Sequence, residues 1–139
     1  MQMQWMILPY KRMLDFNGRS RRLEYWMFHV LLIAQIALIM GLIVAFAPRD
    51  GGALPWSHPV TLLLTLLAMI AAVGWFWAGL ALSVRRFHDQ DKSGWYVLLG
   101  AIPYVGGLIT LVFMCLPGTA GPNRFGPDPI NPDLTDVFG

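Results

Sequence analysis

One stretch decides how the chain folds: Arg85-Arg86-Phe87-His88-Asp89-Gln90-Asp91-Lys92-Ser93-Gly94-Trp95 sets five formal charges and a histidine between two long uncharged runs. Residues 60–84 precede it, 25 positions whose only hydroxyls are Thr61, Thr65 and Ser83. Residues 95–116 follow with 22 more, interrupted by Pro103 and the pair Gly106-Gly107. A helix crossing a bilayer needs about 20 predominantly apolar residues. Both runs meet that length, so the charged stretch reads as a polar hinge between two membrane segments. A third run, residues 26–47, is 22 long and carries only His29, Gln35 and Gly41 as breaks. The pattern predicts an all-α membrane protein in a single domain, 1–139. It has a short amphipathic leader (1–25), three transmembrane helices (26–47, 60–84, 95–116) and a Pro/Gly-rich tail (117–139).

Composition agrees. Of the 139 residues, 56% are hydrophobic and 13% charged, against about 25% charged in soluble domains. That is too little charge to cover a soluble surface. The net charge of +2 gives no support to a nucleic-acid partner. Cys115 is the single cysteine, which rules out an intramolecular disulfide. Its apolar neighbours predict a small buried hydrophobe. Ala45-Phe46-Ala47 has the small-x-small form of a signal cleavage site, but signal cores are about 7–15 residues long. The longer run here reads as a retained helix.

Lysine and arginine placement predicts orientation. Lys11, Arg12, Arg19, Arg21 and Arg22 lie in the leader and Arg85, Arg86 and Lys92 in the hinge. Arg49 is alone in the first loop and Arg124 alone in the tail. Three spans would put leader and hinge together, eight basic residues against two, and the positive-inside rule makes that side cytoplasmic. The N-terminus is then cytoplasmic and the C-terminus periplasmic. Tyr25, Trp26, Trp95 and Tyr96 serve as inner interfacial anchors and Trp56 as the outer one. Pro103 withholds one helix hydrogen bond, so residues 95–116 read as a kinked spanning helix. The alternative is a re-entrant hairpin that returns the tail to the cytoplasmic side. In the leader, Met6, Tyr10, Met13 and Leu14 share one helical face near Pro9, as in a helix lying on the membrane surface. The tail holds five prolines and four glycines in 23 residues, too many for a regular element.

Chemistry-bearing residues gather in the leader and hinge. Gly18 supplies a turn, Ser20 a helix cap and Glu24 a partner for Arg21. Pairings of Glu24 with Arg85 and of Arg22 with Asp89 would tie the two segments together. The candidate lipid- or partner-contact residues are Arg19, Arg21, Arg22, Glu24, Arg85, Arg86, His88, Asp89, Lys92 and Trp95. Asn123, Arg124 and Asp128 form a tail motif, with Arg124 and Asp128 as a candidate bridge. The plain reading is a self-neutralising polar cap. The sharper one is a site for anionic headgroups, each juxtamembrane cation contributing about 1 kcal/mol. Three near-adjacent side chains, His88, Asp89 and Asp91, do not by themselves close a metal site. No metal, cofactor or catalytic residue is assigned. Within the spans, Ala71, Gly74, Ala78 and Ala81 form a small-residue packing stripe, and Trp75 and Trp77 fill a bundle core. His29 and Gln35 are the polar groups at membrane depth.

Three blocks carry a family resemblance: Gly18-Arg19-Ser20-Arg21-Arg22-Leu23-Glu24-Tyr25-Trp26; Arg85-Arg86-Phe87-His88-Asp89 with Ser93-Gly94-Trp95; and Gly121-Pro122-Asn123-Arg124-Phe125-Gly126-Pro127-Asp128-Pro129. In order and spacing they resemble the YhaH-like bacterial inner-membrane proteins, domain of unknown function 805, from about Tyr10 to Pro129. Phe87 stands where the family usually has leucine. The resemblance implies a small multi-pass protein of the bacterial inner membrane and brings no activity or catalytic residue. The functional expectation is an inner-membrane protein, not an enzyme, acting through protein or anionic-lipid contacts at its cytoplasmic face. Its partners would be the bilayer, a second copy or another membrane protein. The alternatives are a transporter or channel component using His29, Gln35 and the broken third run, and, more weakly, a headgroup enzyme using His88, Asp89 and Asp91.

Overall fold

The computed structural model describes residues 4–46 and 58–130. Arg49 and the anchor Trp56 of the first loop, and residues 131–139 of the tail, lie outside them. The elements are α1 (Gln4–Lys11), α2 (Arg22–Phe46), α3 (Pro59–Asp89), a 3₁₀ helix (Gly94–Ala101) and α4 (Gly106–Cys115). Among the described residues the only strand-like pairing is an isolated bridge between Asn123 and Gly126.

Helices α2 and α3 are long and apolar enough to cross a membrane. Pro59 opens α3 at a position where its missing N–H costs nothing, and His58 Nδ1 accepts the Val60 N–H at 3.3 Å. At 1.5 Å per residue the 31 residues of α3 extend about 46 Å, beyond a hydrocarbon core of about 30 Å. The five hinge residues inside the helix account for about 7 Å of that excess. Residues 85–89, expected to lie between helices, continue α3. An i,i+3 ion pair between Arg86 and Asp89 supports them there, and cations suit the negative end of the helix dipole. The stop comes at Asp91, whose φ of 54° turns the chain left-handed. The Lys92 N–H then returns to Phe87 O (2.9 Å) and the Asp91 N–H to His88 O (3.0 Å), the hydrogen-bond pattern of a Schellman cap with aspartate in the usual glycine place.

Residues 95–116 are helical, as expected, but in two pieces. Pro103 stops the 3₁₀ helix from continuing, and Tyr104 takes φ 65°. The Val105 N–H closes on Pro103 O at 2.8 Å and the Gly106 N–H on Ile102 O at 2.9 Å. The 3₁₀ helix and α4 then pack on each other, with the Gly106 backbone pressed against the Leu99 and Gly100 carbonyls. Ten residues of α4 rise about 15 Å, half the hydrocarbon thickness. The geometry is a hairpin, in place of the single kinked helix expected.

Three residues of the small-residue stripe, Gly74, Ala78 and Ala81, pack inside the monomer, while Ala71 lines an open groove beside α2. Gly79 lies under the Phe28 ring and Gly74 beside Tyr10, while Phe28, Ala78 and Leu82 form a buried core backed by Tyr10, Tyr25 and Trp75. Close approach of this kind is what drives helix association where lipid is as apolar as the side chains. Trp75 thus joins the core as expected, whereas Trp77 faces outward. The leader helix packs on α2 and α3, with Tyr10 against Phe28. It ends at Lys11, leaving Met13 and Leu14 exposed beyond it, and Pro9 sits buried inside it. Cys115 is exposed, contrary to its expected burial, because α4 contributes Met114 rather than Cys115 to the interior.

The two adjacent glycines of α4 give a clean contrast. A Cβ on Gly106 would collide with backbone carbonyls that cannot rotate away, while one on Gly107 meets nothing within 4 Å. Gly106→Ala is expected to destabilise by about 1–3 kcal/mol and Gly107→Ala to be neutral, measured by thermal unfolding in detergent.

Candidate functional site

The C-terminal turn of α3 carries two arginines, Arg85 and Arg86, both 0% exposed. A buried guanidinium is tolerable only if its donors and charge are met. Arg85 sends Nε to Ser20 Oγ (3.1 Å) and Nη1 to the Arg12 carbonyl (2.9 Å) and the Asp15 carbonyl. Ser20 returns the contact, its backbone N–H reaching Arg85 O at 3.2 Å. Arg85 Nη2 stands 3.7 Å from Glu24 Oε1, too far for a hydrogen bond, and neither atom has one among the described residues. That pair attracts through charge alone. Arg86 binds Asp89 Oδ2 through Nη1 and the Leu116 carbonyl through Nη2.

Asp89 is the hub. Its Oδ1 accepts from Arg19 Nε at 2.9 Å while Oδ2 takes Arg86, so one carboxylate holds the leader to α3. Its own carbonyl accepts the Thr119 N–H at 2.8 Å and the Thr119 hydroxyl at 3.1 Å. Arg19 completes the loop by donating to Gly121 O and Thr119 O, both at 2.6 Å. Gly118 lies so close to the Asp89 carboxylate that no side chain fits there.

The tail is therefore part of the site. Asn123 Nδ2 donates to His88 O (2.9 Å) and Thr119 Oγ1 (3.0 Å), Phe125 stacks on the His88 ring at 3.8 Å and 2°, and Arg124 pairs with Asp91 at 3.1 Å. The expected Arg124–Asp128 bridge is replaced by Arg124–Asp91. Asp128 instead accepts the Gly121 and Ile130 N–H groups, bracing the turn. Residues 117–130 sit at the same end as leader and hinge. The hairpin brings α4 back to the hinge, the geometry of the re-entrant alternative rather than of the kinked spanning helix.

Of the remaining expected contacts, Glu24–Arg85 forms but Arg22–Asp89 does not, since Arg19 and Arg86 already fill that carboxylate. Arg22 donates to the Cys115 carbonyl (3.3 Å) and Arg21 to the carbonyls of Pro129 and Ile130. With Arg86 on Leu116 O and Gln90 on Phe113 O, three side chains satisfy the C-terminal carbonyls of α4. Ser20 serves Arg85 rather than capping α2. Lys92 lies over the Phe113 ring, and Trp95 is 78% exposed. Outside the cluster, Arg12 hydrogen-bonds Asp15 and holds its carboxyl below the usual aspartate range. His88, Asp89 and Asp91 face different partners, and among the described residues no three His, Cys, Asp or Glu side chains converge on one point. Sequence reading missed the Schellman stop and the role of Gly118; aspartate in a left-handed turn and a glycine after Pro117 were the available signals.

Two apolar helices long enough to cross a bilayer, joined through a buried ionic end, define an integral all-α membrane protein. The family model described as "Protein of unknown function (DUF805)" matches residues 13–127, and the chain belongs to that family. It is 40% identical over 133 residues to the inner membrane protein YhaI of Escherichia coli strain K12, covering 91% of this chain and 96% of the relative. It is 39% identical over 129 residues to the inner membrane protein YhaH of the same strain, covering 91% and 97%. No solved structure matches.

Breaking a buried ion pair by removing one partner costs about 3–5 kcal/mol, while an exposed pair contributes about 0–1. Asp89→Ala, which strands Arg19 and Arg86, is expected to fall in the first range. Asp91→Asn, which frees the exposed Arg124 while keeping a residue tolerated at φ 54°, should fall in the second. Equal effects in chemical unfolding would contradict the hub role.

Proposed function

We propose that the protein works at the cytoplasmic face of the inner membrane, contacting anionic phospholipid headgroups through the cations that surround the buried cluster. Nine of the ten Lys and Arg residues belong to the leader, hinge and tail segments that meet at this end, which is the distribution that favours a cytoplasmic placement. Arg19, Arg85 and Arg86 are spent on internal partners, so the headgroup role passes to residues nearer the surface. Exposed Lys11 and Arg22, with half-buried Lys92, remain in reach of lipid phosphate. The observation that carries the reading is their company: exposed Trp26, Trp95 and Tyr96 lie at the same end, and such rings prefer the headgroup level. The buried cluster is then the frame that holds this face in shape.

Each juxtamembrane cation is worth about 1 kcal/mol towards acidic lipid. The double variant Arg22→Gln, Lys92→Gln should therefore lose roughly thirtyfold in affinity for phosphatidylglycerol relative to phosphatidylcholine, read by lipid retained on detergent-purified protein. Unchanged retention with intact helix content would sink the lipid reading and leave a protein partner at this face.

A further inference from the structure

The seam between α2 and α3 holds two neighbouring cavities that nothing above uses. One, of about 240 Å³, is walled by Tyr25, His29, Trp75, Phe76 and Ser83 among others. The next, of about 380 Å³, is almost wholly apolar and lies between Leu32, Ile36 and Ile39 of α2 and Ala68, Ala71 and Ala72 of α3. Both share Trp75. The lining positions recur every three to four residues on each helix, so the cavities follow one another along a single groove. The aromatic one lies nearer the ionic end.

The aromatic cavity has directional chemistry. His29 Nδ1 is 2.8 Å from the Tyr25 carbonyl. A carbonyl only accepts, so Nδ1 carries the proton and in the neutral ring Nε2 is left as an acceptor. The Trp75 indole N–H is buried and meets no acceptor among the described residues. The two rings stand edge to face with centroids 6.3 Å apart. A hydroxyl has the chemistry to meet both, accepting from an indole N–H and donating to an imidazole nitrogen. Neither cavity is lined by a cation, so a phosphate head would bring unmatched charge. Four rings in the wall, those of Tyr25, His29, Trp75 and Phe76, favour a flat aromatic head, and the apolar slot favours a hydrocarbon tail.

We propose that this groove binds a neutral amphiphile with a hydroxyaryl head, the chemistry of a membrane quinol, its head between His29 and Trp75 and its tail in the slot beside Ala71. The indole N–H and the imidazole then gain partners where lipid supplies none.

The test uses the full chain in phosphatidylcholine nanodiscs, incubated with a decyl-substituted benzoquinol kept reduced by ascorbate. Retained ligand is extracted and quantified against empty discs. Saturable binding at one per protein is expected, with Trp75→Phe and His29→Leu each raising the apparent Kd about tenfold. Ala71→Leu, which fills the slot without touching a polar group, should weaken binding at least as much; it decides the matter should either polar variant lose helix content. Arg22→Gln, Lys92→Gln should leave quinol binding unchanged, which separates this site from the headgroup reading. Non-saturable uptake, equal Kd in the folded variants, or equally tight binding of dodecanol would overturn the proposal.

Discussion

Arg85 and Arg86 end a membrane-crossing helix with no exposed surface at all, and that burial organises everything around it. Two guanidinium groups withdrawn from water require counter-charge and a set of acceptors. Asp89 and Glu24 supply the charge, Ser20 a hydroxyl, and the carbonyls of Arg12, Asp15 and Leu116 further acceptors, with Arg85 Nη2 and Arg86 Nε left without a hydrogen bond among the described residues. These acceptors come from three separate stretches of chain. Burying the arginines therefore obliges the leader and the end of α4 to meet at the end of α3, and Asp89 draws in Arg19 and Thr119 with them.

The hairpin follows from the same requirement. The Leu116 carbonyl can reach Arg86 only if residues 95–116 return to the hinge after leaving it, and Pro103 with the Gly106 contact makes the reversal. Once α4 ends there, the tail has its own anchors: Thr119 on the Asp89 carbonyl, Asn123 on the His88 carbonyl, and Phe125 on the His88 ring. A proline-rich tail with no regular structure is thereby fixed by side chains and backbone groups rather than by a helix or sheet.

Much of this was legible in the residues. The length and polarity of the runs identified α2 and α3, and the charge pattern marked the leader and hinge as one polar unit, with Glu24–Arg85 correctly paired. Periodicity exposed the stripe of Ala71, Gly74, Ala78 and Ala81, though not that Tyr10 and Phe28 would pack on Gly74 and Ala78. Other features were hidden because they depend on distant partners. Asp89 reads as a plain charged neighbour of His88 until Arg19, 70 positions away, is seen on it. Pro103 is compatible with a kink or a reversal, and only the carbonyls awaiting Arg86, Arg22 and Gln90 distinguish them. Arg124 has acidic candidates at Asp128 and Asp91, and local sequence favours the nearer one, which the turn instead uses to bind backbone N–H groups.

The central claim is that leader, hinge and tail occupy one side of the membrane. It is tested most directly by single cysteines at Lys11 and at Pro122, both exposed, in a Cys115→Ser background, labelled with a membrane-impermeant maleimide in spheroplasts and again after lysis. Both sites are predicted to be protected in intact spheroplasts and labelled after lysis. Labelling of the Pro122 site in intact spheroplasts, with the Lys11 site still protected, would contradict it.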